Sequence, residues 1–146
     1  MAFEPKTPYL AVDGIINLQD EFGNWLGIVL IDRKYPPVGL AIPGGFVEVG
    51  ESVERAVIRE MKEETSLDVV VLRQFRVFSK PDRDPRFHTV SVVFECVARG
   101  NPKGKDDAKV AKVFSYEEIP FDSLVFDHRE ILKKYLSDPL AVFKRL

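Results

Sequence analysis

At 146 residues the chain is long enough to bury a real core, and one domain spanning 1–146 is expected, with 45% hydrophobic and 30% charged residues excluding a disordered chain. The balance of 21 Lys+Arg against 23 Asp+Glu, a formal charge of -2, argues against a long nucleic acid as partner and leaves a single nucleotide open. Cys96 is the only cysteine, which excludes an intrachain disulfide or a Cys-based zinc or redox motif; no apolar stretch nears the ~18 residues of a membrane span and residues 1–6 lack a signal-peptide pattern, so a cytoplasmic protein away from membranes is expected.

Residues 9–18 and 25–31 are dense in apolar side chains and flank a turn signal at 20–24 with Gly23, which predicts a hairpin or two neighbouring strands. A loop with Tyr35, Pro36, Pro37 and Gly39 leads to a short apolar piece at 40–42, and Pro43-Gly44-Gly45 predicts a hard turn. Ser52 is placed to cap a helix free of Gly and Pro that lasts to Ser66. Residues 67–78 and 87–98 read as strands, separated by a charged loop at 79–86, and a polar loop at 100–107 precedes a strand-like stretch at 110–116. Asp127 is expected to cap a last helix, with Glu130 completing a capping box and the helix running to about Leu136. Strands outnumber helices and flank one long helix, so the fold class is α/β (α+β), a mixed sandwich.

The long helix carries the chemistry. Glu60, Glu63 and Glu64 share one face, and Glu60 and Glu64 continue the apolar stripe of Val53, Ala56 and Val57. Glu63 can meet Arg59 one turn back, whereas Glu60 and Glu64 have no basic residue three or four places earlier. All three sit in the last turn, where the helix dipole disfavours them by about 0.3–1 kcal/mol each. Two carboxylates ~6 Å apart repel by about 3 kcal/mol at an effective dielectric near 20. Protons or a cation must offset this, and carboxylates with a main-chain carbonyl suit a hard divalent ion: Mg²⁺, or Mn²⁺ in its place. Pro43-Gly44-Gly45 lets the main chain approach a ligand closely, making Gly45 a candidate substrate contact and the turn a source of that carbonyl. Mg²⁺ favours phosphate oxygens, so the substrate is expected to be a phosphate ester or anhydride.

The spacing of Gly45, Glu51 and the run from Arg59 through Glu60, Glu63 and Glu64 to Leu67 resembles the Nudix box, with Ser66 where that family usually has Gly. The resemblance implies the Nudix α/β/α sandwich, a mixed β-sheet between helices, and hydrolysis of a nucleoside diphosphate linked to another group. It also implies that the Gly44 carbonyl, Glu60, Glu63 and Glu64 ligate metal, and that Arg59 and Glu51 form an ion pair that orients them. The base that takes the water's proton is open between Asp106, Asp107 and a box glutamate, with Glu63 favoured. Residues 40–48, the 79–86 loop, His88 and Ser91 resemble the ADP-ribose pyrophosphatase branch, which splits ADP-ribose to AMP and ribose 5-phosphate, with Arg33 and Arg86 as candidate phosphate or ribose contacts. His88 is read as a hydrogen-bonded structural residue, and Trp25, Tyr35 and Phe78 as aromatics able to stack on adenine but core by default. A MutT-like nucleoside triphosphate pyrophosphatase, a dinucleoside polyphosphate hydrolase and a non-catalytic ligand sensor are the alternatives. Relatives often form homodimers, so a homodimer is expected.

Overall fold

A computed structural model describes residues 2–103 and 109–145. The predicted hairpin forms: β1 (Tyr9–Gln19) and β2 (Trp25–Arg33) pair antiparallel around a turn in which the Asp20 carboxylate accepts the backbone N–H groups of Phe22 and Asn24, both at 2.9 Å. Two three-residue strands follow, β3 (Gly39–Ala41) on β2 and β4 (Gly44–Phe46) on β1. Then come α1 (Val53–Thr65), β5 (Val70–Phe78), β6 (Thr89–Arg99), β7 (Lys109–Phe114) and α2 (His128–Leu136). β1 and β6 run parallel over their full length while the other pairs of these strands are antiparallel, so the sheet is mixed, in the order β3-β2-β1-β6-β5 with β4 on β1 and β7 on β2.

Alternation along the strands builds a core on each face. Val12, Ile16, Val92 and Phe94 pack under Ala56, Val57 and Met61 of α1; Ile15, Ile28, Leu30 and Val93 pack under Ile131, Leu132 and Tyr135 of α2. Burying Val57 and Met61 contributes about 1.5–3 kcal/mol each, which fixes α1 against β1 and hence the height of its acidic last turn. Among the described residues no helix is long and apolar enough to cross a membrane.

The fold opens where β1 changes partner. On the side away from β6, β1 pairs with β2 at Asn17, Leu18 and Gln19, but with β4 at Ala11, Val12 and Asp13. β2 diverges, carrying β3, and Ile42 and Pro43 cross from one edge to the other, with the Pro43 carbonyl accepting the Gly14 N–H at 3.0 Å. Residues 43–45 are therefore no free turn: Gly44 and Gly45 are strand residues, because only a residue without a side chain lies this close to β1 and α1. A Cβ on Gly44 would stand 2.2 Å from Asp13 Oδ1 and from the Val12 carbonyl oxygen.

Three further expectations change. Residues 67–69 are not strand; Leu67 and Val69 instead join the core on the α1 side. The Asp127 side chain makes no capping bond, because its carboxylate is taken by Arg83 at 2.7 and 3.0 Å, and no capping box forms. Ser52 does cap α1, accepting the Arg55 N–H at 3.1 Å, and Ser66 takes the left-handed conformation (φ 65°) suited to the glycine it replaces.

Candidate active site

The acidic face of α1 behaves as its periodicity predicts. Glu60 and Glu64 are buried, at 8% and 7% exposed, on the same helix as the fully buried Val57 and Met61, and both line a pocket of about 400 Å³ in the opening beside β1. Burial, assisted by the charges of Glu63 and Glu64, raises the Glu60 pKa against the opposing Arg59. A Cβ on Gly45 would stand 2.4–2.5 Å from the Glu60 carboxylate, so the glycine is what makes room for it.

Arg59 organises this end of the pocket. Its Nε and Nη2 donate to the two Glu51 oxygens at 2.7 and 2.8 Å, and Nη2 also donates to the Phe46 carbonyl at 3.1 Å. Nη1 reaches Glu60 at 2.8 Å and Glu63 at 3.3 Å, so Glu60 has a neighbour its spacing did not disclose. Hydrogen bonds from Arg59 hold the Glu51 carboxyl at about 2, well below the usual carboxylate range, and raise the guanidinium in turn. The expected Arg59–Glu51 ion pair is present. Glu63 stands at the rim, its side chain 41% exposed, and does not line the pocket.

The pocket floor contains groups the sequence did not single out. Asp13 on β1 lies beneath Gly44, and its Oδ2 accepts a short hydrogen bond from the Ser91 hydroxyl. Burial raises its pKa from 3.8 to about 6 against the opposing effects of Ser91 and Arg83. His128, at the start of α2, accepts the Ile42 N–H on Nδ1 at 2.9 Å, and burial, then the charges of Arg83 and Arg33, lower its pKa from 6.5 to about 3. It is neutral, with its proton on Nε2, so its 3.9 Å approach to Asp13 Oδ1 is not an ion pair. An ordinary strand position and the first position of a helix concealed the two residues; only their burial beside a pocket marks them.

The opposite wall is cationic and aromatic. Arg33 and Arg86 both line the pocket, as expected, and their guanidinium carbons lie 5.3 and 5.5 Å from the Phe126 ring centre. Arg86 is held bidentate by Asp84 at 2.9 and 3.0 Å, whereas Arg33 donates to the Pro37 carbonyl at 2.9 Å. Phe126 has φ 57°, an unusual value for a bulky residue that aims its ring at this wall and that no sequence signal announces. Of the aromatics considered for stacking, Tyr35 lines the pocket; Phe78 is buried in the α2-side core, and Trp25 lies at the start of β2 outside the pocket lining. His88 hydrogen-bonds the Ser79 carbonyl at 3.0 Å, the structural role expected of it. Asp106 and Asp107 lie outside the described residues.

The donor set suits a hard divalent ion: two buried carboxylates, Glu60 and Glu64, beside main chain stripped of side chains at Gly44 and Gly45. Among the described residues no three His, Cys, Asp or Glu side chains converge to hold a metal, since Arg59 draws Glu60 and Glu63 toward itself. Of the residues that the resemblance implies as metal ligands, Gly44, Glu60 and Glu64 line the pocket and Glu63 does not.

A comparison with protein families matches residues 8–135 to the NUDIX domain. The chain belongs to the Nudix family. It is 48% identical over 132 residues to an ADP-ribose pyrophosphatase of Methanocaldococcus jannaschii, covering 88% of this chain and 73% of that one. Its fold matches a MutT/nudix family protein of Enterococcus faecalis with a TM-score of 0.76 at 28% identity, covering 99% of this chain and 68% of the other. A bifunctional NMN adenylyltransferase/ADP ribose pyrophosphatase of Francisella tularensis, solved with AMP and a Mn ion, matches with a TM-score of 0.75 at 29% identity over 93% of this Nudix chain and 42% of its own length. The mixed sheet between two helices is thus the Nudix sandwich.

Proposed function

We propose that this Nudix chain is a divalent-metal-dependent ADP-ribose pyrophosphatase that splits ADP-ribose to AMP and ribose 5-phosphate. The observation that carries the reading is the 48% identity to the Methanocaldococcus enzyme over 88% of the chain. The pocket supports it: buried box acids on one wall face Arg33, Arg86 and Phe126 on the other, a wall suited to phosphates and a flat base.

In this reading Glu60, Glu64 and the Gly44 carbonyl would hold Mg²⁺, or Mn²⁺ in its place. Such an ion supplies charge neutralisation at the diphosphate oxygens and Lewis acidity. Arg33 and Arg86 bind the diphosphate and offset its developing charge. Arg59, pinned by Glu51, holds Glu60 in place. Glu63, on the longest of the Arg59 hydrogen bonds to carboxylates and partly exposed at the rim, is the box acid able to turn toward a water and accept its proton.

The test is a substrate panel run with Mg²⁺, with Mn²⁺ and with chelator. ADP-ribose should turn over to AMP and ribose 5-phosphate, lose that turnover in chelator and regain it with added metal. Preferential turnover of nucleoside triphosphates or dinucleoside polyphosphates would overturn the substrate, and tight binding of ADP-ribose without any turnover would make the chain a sensor.

A further inference from the structure

Three polar groups in the pocket floor have hydrogen-bonding capacity that the protein does not fill. Thr89 on β6 is 3% exposed, and its hydroxyl is the one buried side-chain polar atom without a hydrogen-bond partner among the described residues. It lines the same pocket as Asp13 and His128 and lies two residues before Ser91, on the strand face that carries the Asp13 hydrogen bond. His128 Nε2–H and Asp13 Oδ1 face each other across 3.9 Å, too far for a direct hydrogen bond. A single oxygen about 2.8 Å from each would close the gap at an angle near ~90°, accepting from Nε2–H and donating to Oδ1.

That requirement is specific. A phosphate oxygen accepts only and would be repelled by Asp13, and an amine donates only. A hydroxyl does both, and the orphan Thr89 hydroxyl offers a partner to a neighbouring one, as in a vicinal diol. A flat base finds its complement in the aromatic and guanidinium wall instead. We propose that Asp13, His128 and Thr89 form a subsite that reads the hydroxyl groups of a ribose in the diphosphate substrate, an inference that rests on the ADP-ribose reading above. Where the ribose it reads is the distal one, the subsite also separates ADP-ribose from a nucleoside triphosphate, whose tail brings no hydroxyl to it.

The test compares kcat/KM for ADP-ribose with that for analogues lacking a 2- or 3-hydroxyl on the adenosine ribose or on the distal ribose, so that its arms tell the two sugars apart. Wild type should favour ADP-ribose over the analogues of one ribose by about 10- to 100-fold, the effect of leaving buried polar groups unmatched. Thr89→Val, which is isosteric and removes the orphan hydroxyl, should hold or raise Tm while compressing that preference, and Thr89→Ser should restore it. A preference unchanged in Thr89→Val, or absent in wild type, would mean that the gap holds a fixed water only and would overturn the subsite. Should wild type split no ADP-ribose, the substrate reading fails and the subsite is judged by calorimetry with ribose 5-phosphate, AMP and their 2-deoxy counterparts. Weaker binding of one deoxy ligand that disappears in Thr89→Val supports it, and equal affinities within both pairs overturn it.

Discussion

Asp13 and His128 are shifted in opposite directions by their burial, and separating the two titrations is the most direct test of the buried floor. The Asp13 pKa is raised in the fold from 3.8 to about 6, so its contribution to stability is full below pH ~3.8 and is lost as pH rises through ~6. The His128 pKa is lowered from 6.5 to about 3, so its contribution is present above pH ~6.5 and is lost as pH falls toward ~3. Between roughly pH 4 and 6 the folded protein carries one proton on Asp13 where the unfolded chain carries one on His128, and the pair adds no slope. Each group alone contributes about 1.4 kcal/mol per pH unit, or about 3 kcal/mol across that window. Relative to wild type, Asp13→Asn should therefore lose about 3 kcal/mol between pH 6 and 4. His128→Gln, whose amide oxygen can still accept the Ile42 N–H, should gain about 3 kcal/mol over the same range. Unfolding free energies from urea titrations at pH 4, 5, 6 and 7.5 measure both; stability curves for the two variants that run parallel to wild type would refute the assigned burial and charge states.

Glu64→Gln should cut kcat by about 10²-fold or more while the far-UV circular dichroism is kept, since the carboxylate faces the pocket; near-normal turnover would remove it from the metal set. Gly45→Ala puts a Cβ 2.4 Å from Glu60 Cδ, and because that carboxylate ends a flexible side chain, the fold should persist with the metal concentration for half-maximal activity raised about 10-fold. Ser66→Gly relieves a left-handed serine at φ 65° and should raise stability by about 0.5–1 kcal/mol, read from the urea midpoint, with kcat unchanged.

Local patterns in the chain made much of this molecule legible. The 3.6-residue period of residues 53–65 and the serine cap were enough to locate α1 and to set Glu60 and Glu64 on its apolar stripe, because each depends on neighbours within a turn or two, whereas the Arg59–Glu51 pair came from the resemblance to the Nudix box. The hairpin of β1 and β2 was readable for the same reason. Tertiary structure decided what depends on distant partners. Gly44 and Gly45 become strand residues because β1 exchanges β2 for β4 along one edge, and Asp127 abandons its cap because Arg83, 44 positions away, takes both of its oxygens. Asp13, Thr89 and His128 look ordinary in their own segments and acquire unusual chemistry only where β1, β6 and α2 enclose them in one pocket. Periodicity and capping are short-range properties of a chain, whereas desolvation and unmet hydrogen bonds are properties of a place, and that place exists only after folding.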